Sequence, residues 1–338
     1  MEYRSLGRTG VQVSELCLGC MMFGKLGELD ETQSADIIDL AIDRGINFLD
    51  TANVYSRGES EKATGKALQR NGKRDRIVLA TKVHSRMRDD DPNAWGNHRR
   101  NIAEQCEASL NRLQTDHIDL YQIHRPQPDV PIDETLRALD DLIRSGKVRH
   151  IGTSTFAAWQ VMESLWASKE LGLNRFVCEQ PPYHILDRRI ERELVPLAQT
   201  YGLALIPWSP LAGGVLAGKY HRGQARPAGT RFHKNEGKEW VEQHFTDEAF
   251  DVVEVVNEIA KDKGCTTSQF ALAWCGQQPG ITSPIIGPHS IEQLEDNLGA
   301  VEIQITDEDR KRIDAVATSG RATVPYYQAE FGPHRFRW

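Results

Sequence analysis

"IDLYQIHRPQPDVPIDETLRALDDLIRSGKVRHIG", residues 118–152, contains the unit from which the rest of the chain is built. It opens with Ile118–Ile123, a short apolar run of strand length. Leu136, Leu139, Leu142 and Ile143 then recur at three- and four-residue spacing, the period of one helix face, with Asp133 in the first turn. Val148–Ile151 is a second apolar run. A strand, a helix and a strand in that order make two parallel strands joined by a crossover.

The same alternation continues in both directions. Apolar runs lie at Glu15–Leu18, Ile46–Leu49, Ile77–Ala80, Ile118–Ile123, Val148–Ile151, Phe176–Cys178, Ala204–Pro207 and Ser283–Ile286, which makes eight. Helix spacing recurs in Ile37/Leu40/Ala41, Ile102/Cys106/Leu110/Leu113 and Val252/Val255/Val256/Ile259, and Ser60 is expected to open a helix. No Pro/Gly/Ser-rich linker divides the chain. Eight strand–helix units read as an α/β fold, a (β/α)8 TIM barrel, in one domain over 1–338 with its core at about 15–318 and a tail at 319–338. Three pieces fall outside the repeat. Residues 3–14 are expected to form a hairpin, turning at Arg8–Gly10, that covers the barrel floor. Residues 209–245 are a long connection of the kind that holds ligands. The aromatic and basic tail from Thr323 is expected to fold over the site or meet a neighbour.

Composition narrows the function classes. With 41 basic and 48 acidic residues in 338, the net charge is −7 and no like-charged block stands out, which argues against nucleic acid or an acidic membrane as partner. No apolar run approaches membrane-span length, and "MEYRSLGRTG" has no signal-peptide core, so a cytoplasmic location is expected. The six cysteines include a C-x-x-C at Cys17 and Cys20, but no second pair or His pair follows at zinc spacing. They read as small apolar residues, and no metal site is expected.

In barrels of this kind, polar residues at the C-terminal strand ends carry the chemistry. Asp50 ends the second run, Lys82 the third and His124 the fourth, with Tyr55 in the loop after Asp50. Singly, each has a plain explanation: an ion pair, a core histidine, loop packing. Together they suit proton transfer to a carbonyl or alkoxide oxygen. A free phenol is a poor acid near neutrality, but a neighbouring ammonium favours the phenolate, and an acid would hold that ammonium in place. An imidazole beside them could orient the substrate oxygen and stabilise its developing charge. None of the four supplies electrons, so a hydride carrier is required.

"DTANVY" with "SE" at 60–61, "ATKV", "YQIHRP", "GKVRHIGTS", "WSPLAGGVLAGKY" and "IGPHSIEQLEDN" are, in order and spacing, similar to the aldo-keto reductase family over about residues 3–318, nearest its bacterial reductases and its potassium-channel β-subunit branch. The resemblance implies a catalytic tetrad of Asp50, Tyr55, Lys82 and His124, with Tyr55 as general acid. It also implies a nicotinamide stacked on Trp208, with Ser154, Thr155 and Gln180 toward its amide and Cys20, Met21 and Asp50 beside it. Ser209, Pro210, Leu211, Gly213 and Lys219 would follow the pyrophosphate, and Gly287, His289, Gln293, Asp296 and Asn297 would meet the adenosine end.

The residues agree with parts of this. No G-x-G-x-x-G follows a strand, and the G-x-x-x-x-G-K at Gly213–Lys219 lacks the Ser or Thr of a P-loop, so neither dinucleotide motif applies. Ser290 and Gln293 stand at capping-box spacing, and a helix N-terminus is a ready phosphate site. No Lys or Arg stands within "GPHSIEQLEDN" to meet a 2′-phosphate; Arg231 in the long loop could supply that charge. NADPH is the expected cofactor, with NADH the alternative.

The leading expectation is therefore an NADPH-dependent reductase of aldehydes or ketones. The rival is a cofactor-sensing regulatory subunit with low turnover, as in the channel-associated branch, whose members carry an amide where this chain has His124. A metal-dependent hydrolase lacks clustered ligands, and a glycosidase needs two carboxylates about 5–10 Å apart where only Asp50 qualifies. Met22, Phe23, Tyr55, Trp95 and His124, with the tail, would wall a pocket for a bulky or aromatic carbonyl compound, and Arg125 is expected at the surface. The channel-β-like branch is often tetrameric, so a homo-oligomer stands beside a monomer as an expectation.

Overall fold

The computed structural model describes residues 1–325. Eight parallel strands form one sheet: β1 (Cys17–Gly19), β2 (Phe48–Asp50), β3 (Val78–Val83), β4 (Ile118–Ile123), β5 (Val148–Ser154), β6 (Cys178–Gln180), β7 (Ala204–Leu205) and β8 (Ile285–Ile286). Each pairs with its neighbour in sequence, and β8 returns to β1. The remaining seam is closed by Thr282 N to Leu205 O and Ile285 N to Pro207 O, both 2.8 Å, so the sheet is a barrel. All eight sequence runs overlap a strand, but five of the paired segments begin one or two residues later than their runs.

The helices alternate with the strands: α1 (Glu31–Asp43), α2 (Glu59–Asn71), α3 (Arg99–Leu113), α4 (Ile132–Arg144), α5 (Ala158–Leu171), α6 (Leu194–Tyr201), α7 (Asp247–Lys263), α8 (Thr267–Gly276), α9 (Ile291–Leu298) and α10 (Asp307–Val316). In α3 the sequence reason is plain. Ile102, Cys106, Leu110 and Leu113 share one face and are buried against the barrel, and Gln114 ends the helix in the left-handed conformation at φ 55°. Fully burying a side chain of leucine or isoleucine size stabilises by about 1.5–3 kcal/mol, so a face of this kind holds a helix whose remaining surface is polar. The expectation for Ser60 is corrected. Helix α2 begins one residue earlier, behind Gly58, and the Ser60 hydroxyl instead donates to Cys20 O at 2.6 Å, tying the helix to the end of β1.

Inside the barrel the two-residue strand period sorts side chains into layers. Cys17, Phe48, Ala80, Leu120, Cys178, Ala204 and Ile285 form an apolar lower layer. One step up on β2, β3, β4 and β6 stand Asp50, Lys82, Gln122 and Gln180, all buried. The antiparallel hairpin Tyr3–Ser5 with Gln12–Ser14 plugs the bottom, placing fully buried Leu6 and Val13 in the apolar layer, as its sequence suggests. Its turn needs Gly7, whose φ is 57° and where a Cβ would stand 2.5 Å from Val177 O. Within 209–245 the chain makes a tight turn at Ala212–Ala217 and one helical turn at Glu239–Glu242. Among the described residues no helix is long and apolar enough to cross a membrane, and no group of three or more metal-ligating side chains occurs. Residues 326–338, most of the tail expected near the site, lie outside the described residues.

Candidate active site

The apolar run before Asp50 carries it up the barrel wall, and backbone pairing continues beyond the strand. Thr51 N donates to Ala80 O at 2.9 Å and Asn53 N to Lys82 O at 3.2 Å. The loop is thereby laid across β3, and the chain then turns sharply. Ser56, Arg57 and Gly58 have φ of 47°, 53° and 93°, three consecutive residues in a region that only glycine enters freely. This turn sets the Tyr55 hydroxyl over the barrel.

Lys82 is the hub. Its fully buried ammonium donates to Asp50 Oδ2 at 2.5 Å, Thr51 O at 2.9 Å and Tyr55 Oη at 3.2 Å. All three donor positions of an ammonium are thus used. Burial works against the charge, but Asp50 and then Tyr55 outweigh it, and the lysine is held above its ordinary pKa. Tyr55 packs edge-on against His124, with ring centroids 5.6 Å apart. Burial, then the charges of Arg125 and Lys82, pushes His124 well below the imidazole range, so it is neutral at physiological pH. Its Nδ1 has no hydrogen-bond partner among the described residues. The four expected residues are together: a charged amine shared by a carboxylate and a phenol, with a neutral imidazole alongside.

Two amides that sequence reading did not combine complete the carboxylate's shell. Gln122 Nε2 and Gln180 Nε2 donate to Asp50 Oδ1 at 3.0 and 2.9 Å, and Gln180 Nε2 also donates to Gln122 Oε1 at 3.1 Å. Glu61 is a further buried acid. It accepts from Thr81 Oγ1 and Arg112 Nε, both at 2.6 Å, and so pins α2 to β3 and α3. Glu179 stands on the outer face of β6 and accepts from Phe156 N at 3.1 Å; burial pushes its pKa up to about 8.

Most of the residues assigned to a cofactor lie in or just after the strand ends, or at the start of α9. Ser154 does not cap α5; its hydroxyl donates to Gln180 O at 2.9 Å, while Ala157 stands at the helix start. Thr155 follows at φ 62° with its hydroxyl on Ser154 O. Cys20 is fully buried, its thiol on Leu18 O, and Phe23 is fully buried in the core. Met21 and Met22 beside them are partly exposed. Trp208, Ser209 and Leu211 are partly exposed, and Pro210 is buried. Ser209 and Gly213 both have positive φ, at 55° and 65°, which turns the chain sharply past the end of β7. On the other rim Trp95 packs edge-on against His84 at 5.9 Å. Arg125, expected at the surface, is partly buried and donates to His124 O at 2.8 Å.

Lys219 is exposed, has no carboxylate partner among the described residues, and has its pKa lowered by the protein around it. Ser290 caps α9, accepting from Gln293 N at 3.3 Å, but Gln293 Oε1 reaches His289 N rather than the cap residue. His289 is lowered by desolvation and then by Lys219, Arg231 and Lys234. These three cations act on His289 and supply charge that "GPHSIEQLEDN" itself lacks, although Lys234 is also paired with Glu28 at 3.5 Å. Gly287 is exposed at this rim, Asn297 is buried, and Asp296 accepts from Thr266 Oγ1 at 2.9 Å. Lys234 was not singled out from the sequence, because its distance from residue 289 along the chain hides the approach.

An eight-stranded barrel whose mouth carries a lysine shared by a carboxylate and a phenol belongs to a narrow class. The model of the Aldo/keto reductase family matches residues 15–318, and the chain belongs to that family. It is 41% identical to an uncharacterised oxidoreductase of Bacillus subtilis, over 91% of this chain and 93% of the relative. It is 37% identical to a probable voltage-gated potassium channel subunit beta of Arabidopsis thaliana, over 90% of this chain and 92% of that one. A versiconal hemiacetal acetate reductase of Aspergillus parasiticus is 34% identical over 91% and 95%. The protein is an NAD(P)H-dependent oxidoreductase, and its fold and family support carbonyl chemistry on a small-molecule substrate.

Proposed function

We propose that the protein reduces aldehydes or ketones to alcohols with NADPH, and that Asp50, Tyr55, Lys82 and His124 form its catalytic centre. The observation that carries this reading is the Lys82 ammonium bonded at once to Asp50 and to the Tyr55 hydroxyl. A reduced nicotinamide, when bound, would supply the hydride for the carbonyl carbon. Tyr55 gives its proton to the carbonyl oxygen as that oxygen gains charge, and the phenolate left behind rests against the Lys82 ammonium. Asp50 keeps that ammonium charged and in place. His124, neutral, offers a ring N–H to the same oxygen without competing for the proton. Trp208, with Ser154, Thr155 and Gln180, would hold the nicotinamide end, beside Cys20 and Met21. Ser209 to Leu211, Gly213 and Lys219 would hold the diphosphate, and Gly287, His289, Gln293, Asp296 and Asn297 the adenosine. The Lys219, Arg231 and Lys234 charges around His289 favour a 2′-phosphate, hence NADPH over NADH. Met22 and Trp95 would wall a pocket for a bulky carbonyl compound.

The test is NADPH oxidation against a panel of aldehydes and ketones, with NADH alongside. Tyr55→Phe is expected to lose at least about a hundredfold in turnover, the lower end of a general acid's contribution, while NADPH affinity holds. Undiminished turnover would remove Tyr55 from the proton path. Arg231→Ala with Lys234→Ala is expected to weaken NADPH and leave NADH unchanged. The relative from Arabidopsis, named for a potassium channel, favours a second reading as a regulatory subunit; the imidazole at 124 speaks for turnover, and tight NADPH binding with none would reverse that.

A further inference from the structure

The mechanism leaves Gln122 without a task, although it is a polar side chain with no exposed surface in the middle of the barrel. Its neighbours have made room for it. Gly152 stands beside it in register on β5, and a Cβ there would come within 3.3 Å of Gln122 Cγ and 2.4 Å of Cys178 Sγ. A glutamine kept at the barrel axis by a neighbouring glycine calls for a polar explanation, since leucine would fill the space without needing hydrogen bonds.

That explanation lies in the directions of its bonds. Asp50, Gln122 and Gln180 come from β2, β4 and β6 and close a triangle. A carboxylate only accepts, so both amides must turn their nitrogens to Asp50 Oδ1. Gln122 then has its carbonyl left, and that carbonyl takes the second N–H of Gln180 at 3.1 Å. Both protons of the Gln180 amide are now spent inside the barrel. Only its carbonyl oxygen remains to meet a ligand at the mouth. Without Gln122 one Gln180 proton would be free, and the amide could rotate to offer a donor.

We propose that Gln122 is a positioning residue. By accepting the second Gln180 proton while donating to Asp50, it fixes Gln180 as a hydrogen-bond acceptor toward the cofactor. The group recognised is then the amide NH2 of the nicotinamide carboxamide. This rests on the reading of the mouth as a nicotinamide site. It adds that the carboxylate of the Lys82 pair and the amide-reading side chain form one rigid unit, joined through a residue that touches neither substrate nor cofactor.

The test compares binding of NADPH with its 3-acetylpyridine analogue, in which a methyl group replaces the amide NH2, by quenching of tryptophan fluorescence. The wild-type protein is expected to bind NADPH roughly five- to tenfold more tightly than the analogue, the worth of about one hydrogen bond. Gln122→Met, similar in volume but unable to bond, is expected to bring that preference to within about twofold. Gln122→Glu supplies a switch. Its carboxyl, when protonated, can donate to Asp50 and accept from Gln180 as the amide does; when ionised it faces Asp50 with like charge. The preference is therefore expected at about pH 6 and lost by about pH 9 in this variant, with the wild type keeping it at both. A full preference in Gln122→Met, or a Gln122→Glu variant indifferent to pH, overturns the proposal. So does a wild type that binds both cofactors equally. Failure of the wild type to bind NADPH at all overturns instead the reading of the mouth on which it rests. Should Gln122→Met not fold, the pH comparison in Gln122→Glu decides alone.

Discussion

Replacing Lys82 by methionine keeps most of the side chain's bulk and removes its charge, leaving Asp50 as an uncompensated carboxylate that is almost fully buried. Breaking a buried pair from one side costs about 3–5 kcal/mol. Asp50 would still hold the Gln122 and Gln180 N–H donors on Oδ1, which places the expected loss near the lower end, about 3 kcal/mol. For a chain of this length that is a fall in Tm of about 5 °C, readable by circular dichroism or calorimetry. Turnover should fall further, by about a thousandfold, because the phenolate formed at Tyr55 loses the only ammonium that touches it among the described residues. The decisive arm is the double variant Asp50→Asn, Lys82→Met. Removing the second charge relieves the first, so the double variant should be more stable than Lys82→Met alone while remaining equally inactive. If Lys82→Met keeps wild-type stability, or if Asp50→Asn lowers it further, the pair is not buried and coupled as described, and the reasoning fails.

Glu179 gives a pH prediction. Its folded pKa of about 8 lies above the ordinary 4.5, so between those values the folded protein holds a proton that the unfolded chain has released. Its contribution to stability is therefore fully present below about pH 4.5 and is lost as pH rises through about 8. Melting curves from pH 5 to 9 should show this decline in the wild type and a smaller one in Glu179→Gln; parallel curves would refute it. Gly58→Ala should destabilise by about 1–3 kcal/mol and also lower turnover, since φ is 93° there, the added methyl would meet Arg112 Cδ at 2.6 Å, and the turn carries Tyr55. Denaturant midpoints with the activity assay check both effects, and an unchanged rate would show that the turn does not position the phenol.

What the sequence made legible was whatever repeats or stands at a strand end. The barrel followed from eight apolar runs with helical spacing between them, and Asp50, Lys82 and His124 each stand within one residue of the end of a strand. The two-residue period also held the clue to Gln122, since Leu120, Gln122 and His124 alternate along one face of β4 with Leu120 in the barrel interior. That clue is weak by itself, because a single glutamine in an apolar run is indistinguishable from one facing a helix until its partners on β2 and β6 are in register. Ser60 shows the opposite error. Serine near a helix start suggests a cap, yet its hydroxyl bonds to Cys20 O at the end of β1, a tertiary use that no local pattern announces. The nearness of Lys234 to His289 was hidden for a related reason, as the long connection between β7 and α7 carries no periodic signal that would say where it folds.

The seam of the barrel carries a consequence for how the chain comes off the ribosome. Cys17 N finds its acceptor on Pro284, and Ile285 closes against Pro207. Until residue 285 has emerged, one side of β1 and one side of β7 are open edges, and the layer holding Asp50 and Lys82 is reachable by water from that side. The seam around the charged pair is thus completed only when the chain segment that holds Thr282 and Ile285 is in place. A nascent chain halted before that point is an open, edge-exposed sheet, and it depends on whatever shields such edges in the cell.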